Sequence, residues 1–238
     1  MVKKCFAIFK TGRTGSTSLS GGLNNCGLVY CKNEILNNFS GNPDKDIDEF
    51  INSFLFRESG MKIAGFTLNP FNKPNFDGNS WFFPKDTENI VFSLTREVWQ
   101  QSISLTLSRM TSSFPKDRTS PKAKEILDMM ENKVFLDEQK FRKIYVRLSS
   151  YSQRITQFAK DFARINKATY VPLTYENLYH NNNIDLLKID KCLGIKLSLS
   201  DFDNANKVIP TDLSSWLVNI KNLKTIKEEV DEVNSNAS

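Results

Sequence analysis

Phe6-Ala7-Ile8-Phe9-Lys10-Thr11-Gly12-Arg13-Thr14-Gly15-Ser16-Thr17-Ser18-Leu19 is the stretch on which the reading of the fold turns. A short apolar run breaks into a loop of Gly, Thr and Ser that carries one Arg. Apolar residues then recur at Leu19, Leu23 and Cys26, a helical spacing. Strand, glycine loop and helix in that order make a cradle for an anion. Gly12 and Gly15 let the backbone turn sharply and approach a ligand closely. The first amides of the helix have no partner within it, and the helix dipole adds partial positive charge at that end. The loop departs from the nucleotide-triphosphatase pattern, which requires Gly-Lys followed by Ser or Thr. Gly15 is followed by Ser16, and the cation, Arg13, stands before the second glycine. A kinase or GTPase reading is weakened at its most diagnostic residue.

Two later stretches continue the pattern. Asn89-Ile90-Val91-Phe92-Ser93-Leu94-Thr95-Arg96 reads as a buried strand ending in an Arg, and Glu97 to Met110 reads as a helix. Arg96 offers a forked, permanently charged donor suited to a phosphate. It stands at the carboxyl end of a strand, where ligands collect in open α/β sheets. Ser104, two turns into the helix, adds a hydroxyl. Tyr170-Val171-Pro172-Leu173-Thr174-Tyr175-Glu176-Asn177-Leu178 reads as a strand running into a helix that is scaffold, with Tyr175 near the ligand end of the sheet.

The rest of the chain alternates in the same way. Leu28 to Cys31 is a short extended piece, Asp44 to Ser59 an amphipathic helix, Met61 to Leu68 a sheet strand, and Asp137 to Ile165 a long helix with one apolar stripe. Residues 69–88 and 111–120 are loops. Strands separated by helices imply an α/β fold, a single P-loop-like domain with a parallel, doubly wound sheet flanked by helices. The domain is expected over residues 1–222, with 223–238 as a flexible, fraying tail.

Composition agrees with a globular enzyme. In 238 residues, 39% are hydrophobic and 25% charged, and the formal net charge of +5 suits a polyanionic ligand without the clustered excess of a nucleic-acid binder. No apolar run reaches the length of a membrane span, and the run after Lys3 and Lys4 is too short for a signal peptide. Cys5, Cys26, Cys31 and Cys192 have neither metal-binding nor redox spacing, and free thiols point to a reducing compartment, the cytoplasm. No metal is expected.

Taken in order, these motifs resemble those of sulfotransferases that use 3'-phosphoadenylyl sulfate, specifically the bacterial carbohydrate-type members. Arg13-Thr14-Gly15-Ser16-Thr17 is similar to the family's opening signature, and Gln101-Ser102-Ile103-Ser104-Leu105 lies within its second motif. The segment from Tyr170 to Leu178, and the helix ending at Leu193-Gly194-Ile195, resemble its late strand and helix. The resemblance spans residues 6 to 195. It implies that Arg13, Thr14, Gly15, Ser16, Thr17 and Ser18 hold the donor, that Arg96 and Ser104 bind its 3'-phosphate, and that Lys207 covers its phosphates. The acceptor is then a hydroxyl of a carbohydrate or small molecule, and the product nucleotide is adenosine 3',5'-bisphosphate. Gly65-Phe66-Thr67 departs from the family's Gly-x-Lys, placing Thr67 where members have Lys.

Sulfuryl transfer requires a base for the acceptor hydroxyl, in-line positioning and neutralisation of the leaving phosphate oxygen. Arg13 is the clamp for the leaving oxygen. Glu34 resembles the base of the carbohydrate-type members, and a carboxylate near a dianion is expected to have a raised pKa. Its bland alternative is a solvated turn residue. The single histidine, His180, follows the Tyr-Glu-Asn-Leu segment and is misplaced for a base. Two rival readings stay open: a nucleotide-dependent phosphoryl-transfer enzyme, and a nucleotide-binding module without turnover.

Overall fold

The computed structural model describes residues 3–35, 60–72, 83, 86–110, 134–181, 183–198, 200–203 and 217–236. The expected helix at 44–59, the loop at 111–120 and Lys207 lie outside the described residues. The chain divides into two compact units, one of Met1–Thr95 with Gln153–Ala205, the other of Arg96–Ser152 with Asn206–Ser238. The two units are interleaved in sequence.

The first unit is built on a five-stranded, wholly parallel sheet of β1 (Lys3–Lys10), β2 (Val29–Lys32), β3 (Ile63–Leu68), β4 (Thr87–Thr95) and β5 (Thr169–Thr174), in the order β2-β3-β1-β4-β5. This is the α/β architecture that the alternating pattern implies. β1 lies at the centre, with Phe6 opposite Gly65 on β3 and Ile90 on β4. A parallel strand covered on both faces must be apolar on both, which is why Cys5 to Phe9 form an unbroken buried run. Phe6 and Ile8 pack with Leu19 and Leu23 of α1 (Ser16–Asn25). Leu178 of α4 (Tyr175–Tyr179), Leu186 and Ile189 of α5 (Ile184–Leu193) and Phe202 of α6 (Ser200–Asp203) complete that face. Cys5, Ala7 and Phe9 face the other way, onto Ile155, Ala159 and Phe162. These belong to α3 (Glu138–Ile165), the long helix that the apolar stripe predicts. The sheet is therefore doubly wound. From β1 the chain goes to β2 at the edge, returns to β3 beside β1, then crosses to β4 on the other side, so the connections diverge between β1 and β4. Their carboxyl ends flank the position where such sheets bind ligands.

The second unit contains α2 (Val98–Met110), the first half of α3 and α7 (Ile220–Asn236). Trp99, Ile103 and Leu107 pack with Leu136, Phe141, Tyr145, Leu223, Ile226 and Val230. The buried Asn219 ties the unit together: its amide Nδ2 donates to the Leu136 carbonyl at 2.9 Å, and its Oδ1 accepts the Leu136 amide at 3.1 Å. Residues 223–236, expected as a fraying tail, are instead most of α7. Leu223, Ile226 and Val230 recur at helical spacing and bury one face, while charged residues cover the other. The Tyr145 hydroxyl donates to Asp231 at 2.9 Å, and Arg142 pairs with Glu229. No helix among the described residues is long and apolar enough to cross a membrane.

Leu223 is fully buried. Leu223→Ala should lower the unfolding free energy by about 2–5 kcal/mol, as large-to-small core changes do. Urea denaturation checks this, and an unchanged midpoint would show that α7 contributes nothing to the core.

Candidate functional site

β1 delivers the chain from the middle of the sheet into Thr11-Gly12-Arg13-Thr14-Gly15, and α1 begins at Ser16. The turn is made by two left-handed residues, Arg13 at φ 66° and Gly15 at φ 80°. Gly15 is the N-cap of α1 and, having no side chain, leaves the helix start without a side-chain cap. Leu19 is the first amide to bond back, to the Gly15 carbonyl at 3.0 Å. The amides of Ser16, Thr17 and Ser18 thus have no intrahelical partner and lie at the positive end of the helix dipole. This is the strand, glycine loop and helix start that the opening stretch predicts.

Its shape is held from behind. Asp185, fully buried, accepts the Thr174 amide at 2.7 Å and pairs with Lys188 at 2.6 Å. Thr174 caps α4 by accepting the Asn177 amide at 3.2 Å. That orients Tyr175 and Tyr179, whose rings lie 4.9 Å apart, against the loop. A β-carbon on Gly15 would lie 2.7 Å from the Tyr175 ring. The Tyr179 hydroxyl donates to the Gly15 carbonyl at 3.2 Å, and the Ser18 side chain hydrogen-bonds the same phenol. Burial pushes the Tyr179 phenol well up, so it stays a neutral donor. Thr14 is fully buried and its hydroxyl donates to the Thr11 carbonyl at 3.2 Å, so that side chain serves the loop itself. His180 caps the end of α4, its ring edge-on to Tyr175 at 5.5 Å.

Glu34 lies in the turn after β2, also left-handed, at φ 49°. Its carboxylate pairs with Lys10, the last residue of β1, whose side chain is only 6% exposed. Burial first, then the charge of Arg13, push the Lys10 ammonium down to about 8. The Glu34 amide donates to the Thr67 hydroxyl at 2.8 Å, and that hydroxyl donates to Asn33 Oδ1 at 2.8 Å. Asn33 in turn reaches Thr17 on the first turn of α1 at 3.5 Å. Thr67, at the carboxyl end of β3, thus anchors the turn that carries Glu34. Glu34 is neither an isolated carboxylate nor a solvated turn residue; it is one half of an ion pair.

Arg13 to Ser18 and Glu34 all belong to the first unit, joined through Lys10. Arg96 and Ser104 open the second unit, where Arg96 directly follows β4 and Ser104 is buried on α2. The acidic residue between them acts locally: the Glu97 carboxylate accepts the Trp99 and Gln100 amides at 3.1 and 2.9 Å and caps α2. Sequence reasoning passed over Lys10 and Asn33. The one available signal was a charged residue closing an otherwise apolar strand.

No family model matches the chain, and no curated protein matches it. Among solved structures, it is similar to a sulfotransferase from Alicyclobacillus acidocaldarius, with 12% identity and a TM-score of 0.45 over 95% of this chain and 96% of that one. It is also similar to mouse sulfotransferase SULT7A1 complexed with PAP, with 11% identity and a TM-score of 0.49 over 94% and 81%. A third likeness is to the sulfotransferase domain from the curacin biosynthetic pathway, with 11% identity and a TM-score of 0.46 over 93% and 83%. At such identities and scores these likenesses speak to neither substrate nor mechanism.

The two loop glycines should respond differently to a methyl group. Gly15→Ala meets both a left-handed backbone and the Tyr175 ring and should cost about 1–2 kcal/mol or more, whereas a β-carbon on Gly12 meets none of the described residues within 4 Å. Thermal unfolding of the two variants tests the difference; equal melting temperatures would refute the close packing of Tyr175 on Gly15.

Proposed function

We propose that the protein is a sulfotransferase that moves a sulfuryl group from 3'-phosphoadenylyl sulfate to a hydroxyl of a carbohydrate or small molecule. The observation that carries the reading is the cradle itself: an uncapped helix start entered through left-handed Arg13 and Gly15, with Glu34 tied to the strand that leads into it. The sequence resemblance supplies the donor's identity. The residues fit an anionic group, because the Gly15 N-cap offers backbone amides without a side chain to cover them.

In this reading the loop from Arg13 to Ser18 binds the donor's 5'-side phosphate. Arg13 stabilises charge on the leaving oxygen and, always protonated, acts as an electrostatic clamp and not as an acid. Arg96 and Ser104 bind the 3'-phosphate, and Lys207 completes the donor site. Glu34 accepts the proton of the acceptor hydroxyl as oxygen attacks sulfur and the bond from sulfur to the leaving phosphate oxygen breaks. The reaction takes place in the cytoplasm. The phosphoryl-transfer alternative stands against the Gly15-Ser16 step, where that chemistry calls for Gly-Lys.

Calorimetric titration tests the donor assignment. Adenosine 3',5'-bisphosphate should bind and ATP with magnesium should not. Arg96→Ala should weaken binding by about 1.5–3 kcal/mol, the range for hydrogen bonds to charged groups. Preference for ATP, or an indifferent Arg96→Ala, would favour phosphoryl transfer. Glu34→Gln should lower turnover roughly a hundredfold to ten-thousandfold with donor binding nearly intact; an equal loss of donor affinity would remove Glu34 from the role of base.

A further inference from the structure

The Lys10–Glu34 pair is expensive as architecture. An ammonium taken out of water loses several kcal/mol of hydration, and a buried pair commonly stabilises a fold no better than an apolar residue of the same size. β1 is otherwise apolar from Cys5 to Phe9, so an apolar side chain at position 10 would continue the core without that cost. Glu34 adds a second cost. A left-handed backbone is strained for a residue with a β-carbon, and glycine would occupy the position freely. Strain of this kind is retained where the surroundings over-determine a conformation, typically at functional sites. Here the surroundings are identifiable: the Thr67 hydroxyl takes the Glu34 amide, Asn33 is bonded to the same hydroxyl, and Lys10 takes the carboxylate. Backbone and side chain of one residue are fixed by two separate strands, β1 and β3.

We propose that Lys10 is a positioning residue for Glu34, its buried ammonium and the Thr67 hydroxyl together fixing the carboxylate next to the anion cradle so that it faces the acceptor as a proton acceptor of set orientation. The inference rests on the reading of Glu34 as the base. Lys10 itself touches no substrate. Among the described residues two charged groups act on it, Glu34 from the turn after β2 and Arg13 from the loop, and its register partner on β4 is the apolar Leu94. Because burial and Arg13 bring the Lys10 ammonium down to about 8, the pair is intact below that pH and is lost as pH rises through it. The base then loses its anchor while remaining a carboxylate. Positioning by Lys10 therefore has its own signature, an alkaline fall in turnover that a purely structural ion pair does not produce.

The test uses the full chain, with adenosine 3',5'-bisphosphate as the binding probe and radiolabelled 3'-phosphoadenylyl sulfate as the donor. Release of labelled sulfate to water and its transfer to a panel of monosaccharides and phenols are both counted. Lys10→Met should lose turnover on the order of a hundredfold, the scale of a misplaced catalytic group, with bisphosphate affinity within about threefold of wild type. The Lys10→Met/Glu34→Gln double variant should be no slower than Glu34→Gln, since the two residues act as a unit. Lys10→Arg should recover part of the rate and move the alkaline limb from near pH 8 to beyond the range where Arg is charged. Thr67→Ser should retain more turnover than Thr67→Val. Melting curves establish that each variant folds; should Lys10→Met not fold, the pH profile of Lys10→Arg and the Thr67 pair decide.

The inference is overturned if Lys10→Met turns over within about threefold of wild type, if its donor affinity falls as far as its rate, if the double variant is additively slower, or if the limb near pH 8 persists in Lys10→Arg. Wild type that binds the bisphosphate but neither releases nor transfers sulfate overturns the inference and leaves donor binding standing. Wild type that does not bind the bisphosphate sinks the donor reading, and the inference with it.

Discussion

Everything in the first unit depends on β1 being buried on both faces at the centre of a parallel sheet. Its alternate side chains feed two cores, Phe6 and Ile8 toward α1 and α5, Ala7 and Phe9 toward α3. A strand held that firmly has one fixed exit, and the exit leads into the loop of Arg13 and Gly15. The cradle is thus rigid because of what lies behind it, not because of its own short, Gly-rich sequence. Tyr175 and Tyr179 press on the loop from α4, and the buried Asp185 fixes the turn from which those rings project.

Polar groups concentrate where the sheet ends. Along β1 the residues from Cys5 to Phe9 are apolar and need no partners beyond the backbone ladder. At the carboxyl edge, Lys10, Asn33, Glu34 and Thr67 satisfy one another within a small volume. Such a network is costly if any member is left unpaired and rigid when all are paired. That mutual pairing holds the Glu34 carboxylate in one orientation. Thr67 on β3 contributes a hydroxyl that orients the turn, and the ammonium comes from the neighbouring strand, β1.

How much of this was legible in the sequence follows from the range of each interaction. β1, α1, β4 and α3 announced themselves by periodicity, because burial on two faces or along one stripe leaves its mark within a few residues. The C-terminal helix was less visible: its mean composition is charged, and Leu223, Ile226 and Val230 form a stripe only three residues long. Whether so short a stripe packs or frays depends on a partner surface, supplied by Phe141, Tyr145 and Ile103. Likewise, Asn219 reads as an ordinary polar residue until Leu136, distant in sequence, presents both backbone groups to it.

The sequence by itself determined the alternation of strand and helix, the parallel sheet this forces, and the glycine loop at the carboxyl end of the first strand. These follow from local sterics and from the spacing of apolar side chains, which need no knowledge of distant residues. Tertiary structure alone decided that the chain divides into two interleaved units, that its last helix belongs to a core, and that Glu34 has Lys10 for a partner. The physical reason is the same in each case: a charge, an amide or an apolar stripe is neutral in meaning until the fold selects, from residues far along the chain, the group that satisfies it.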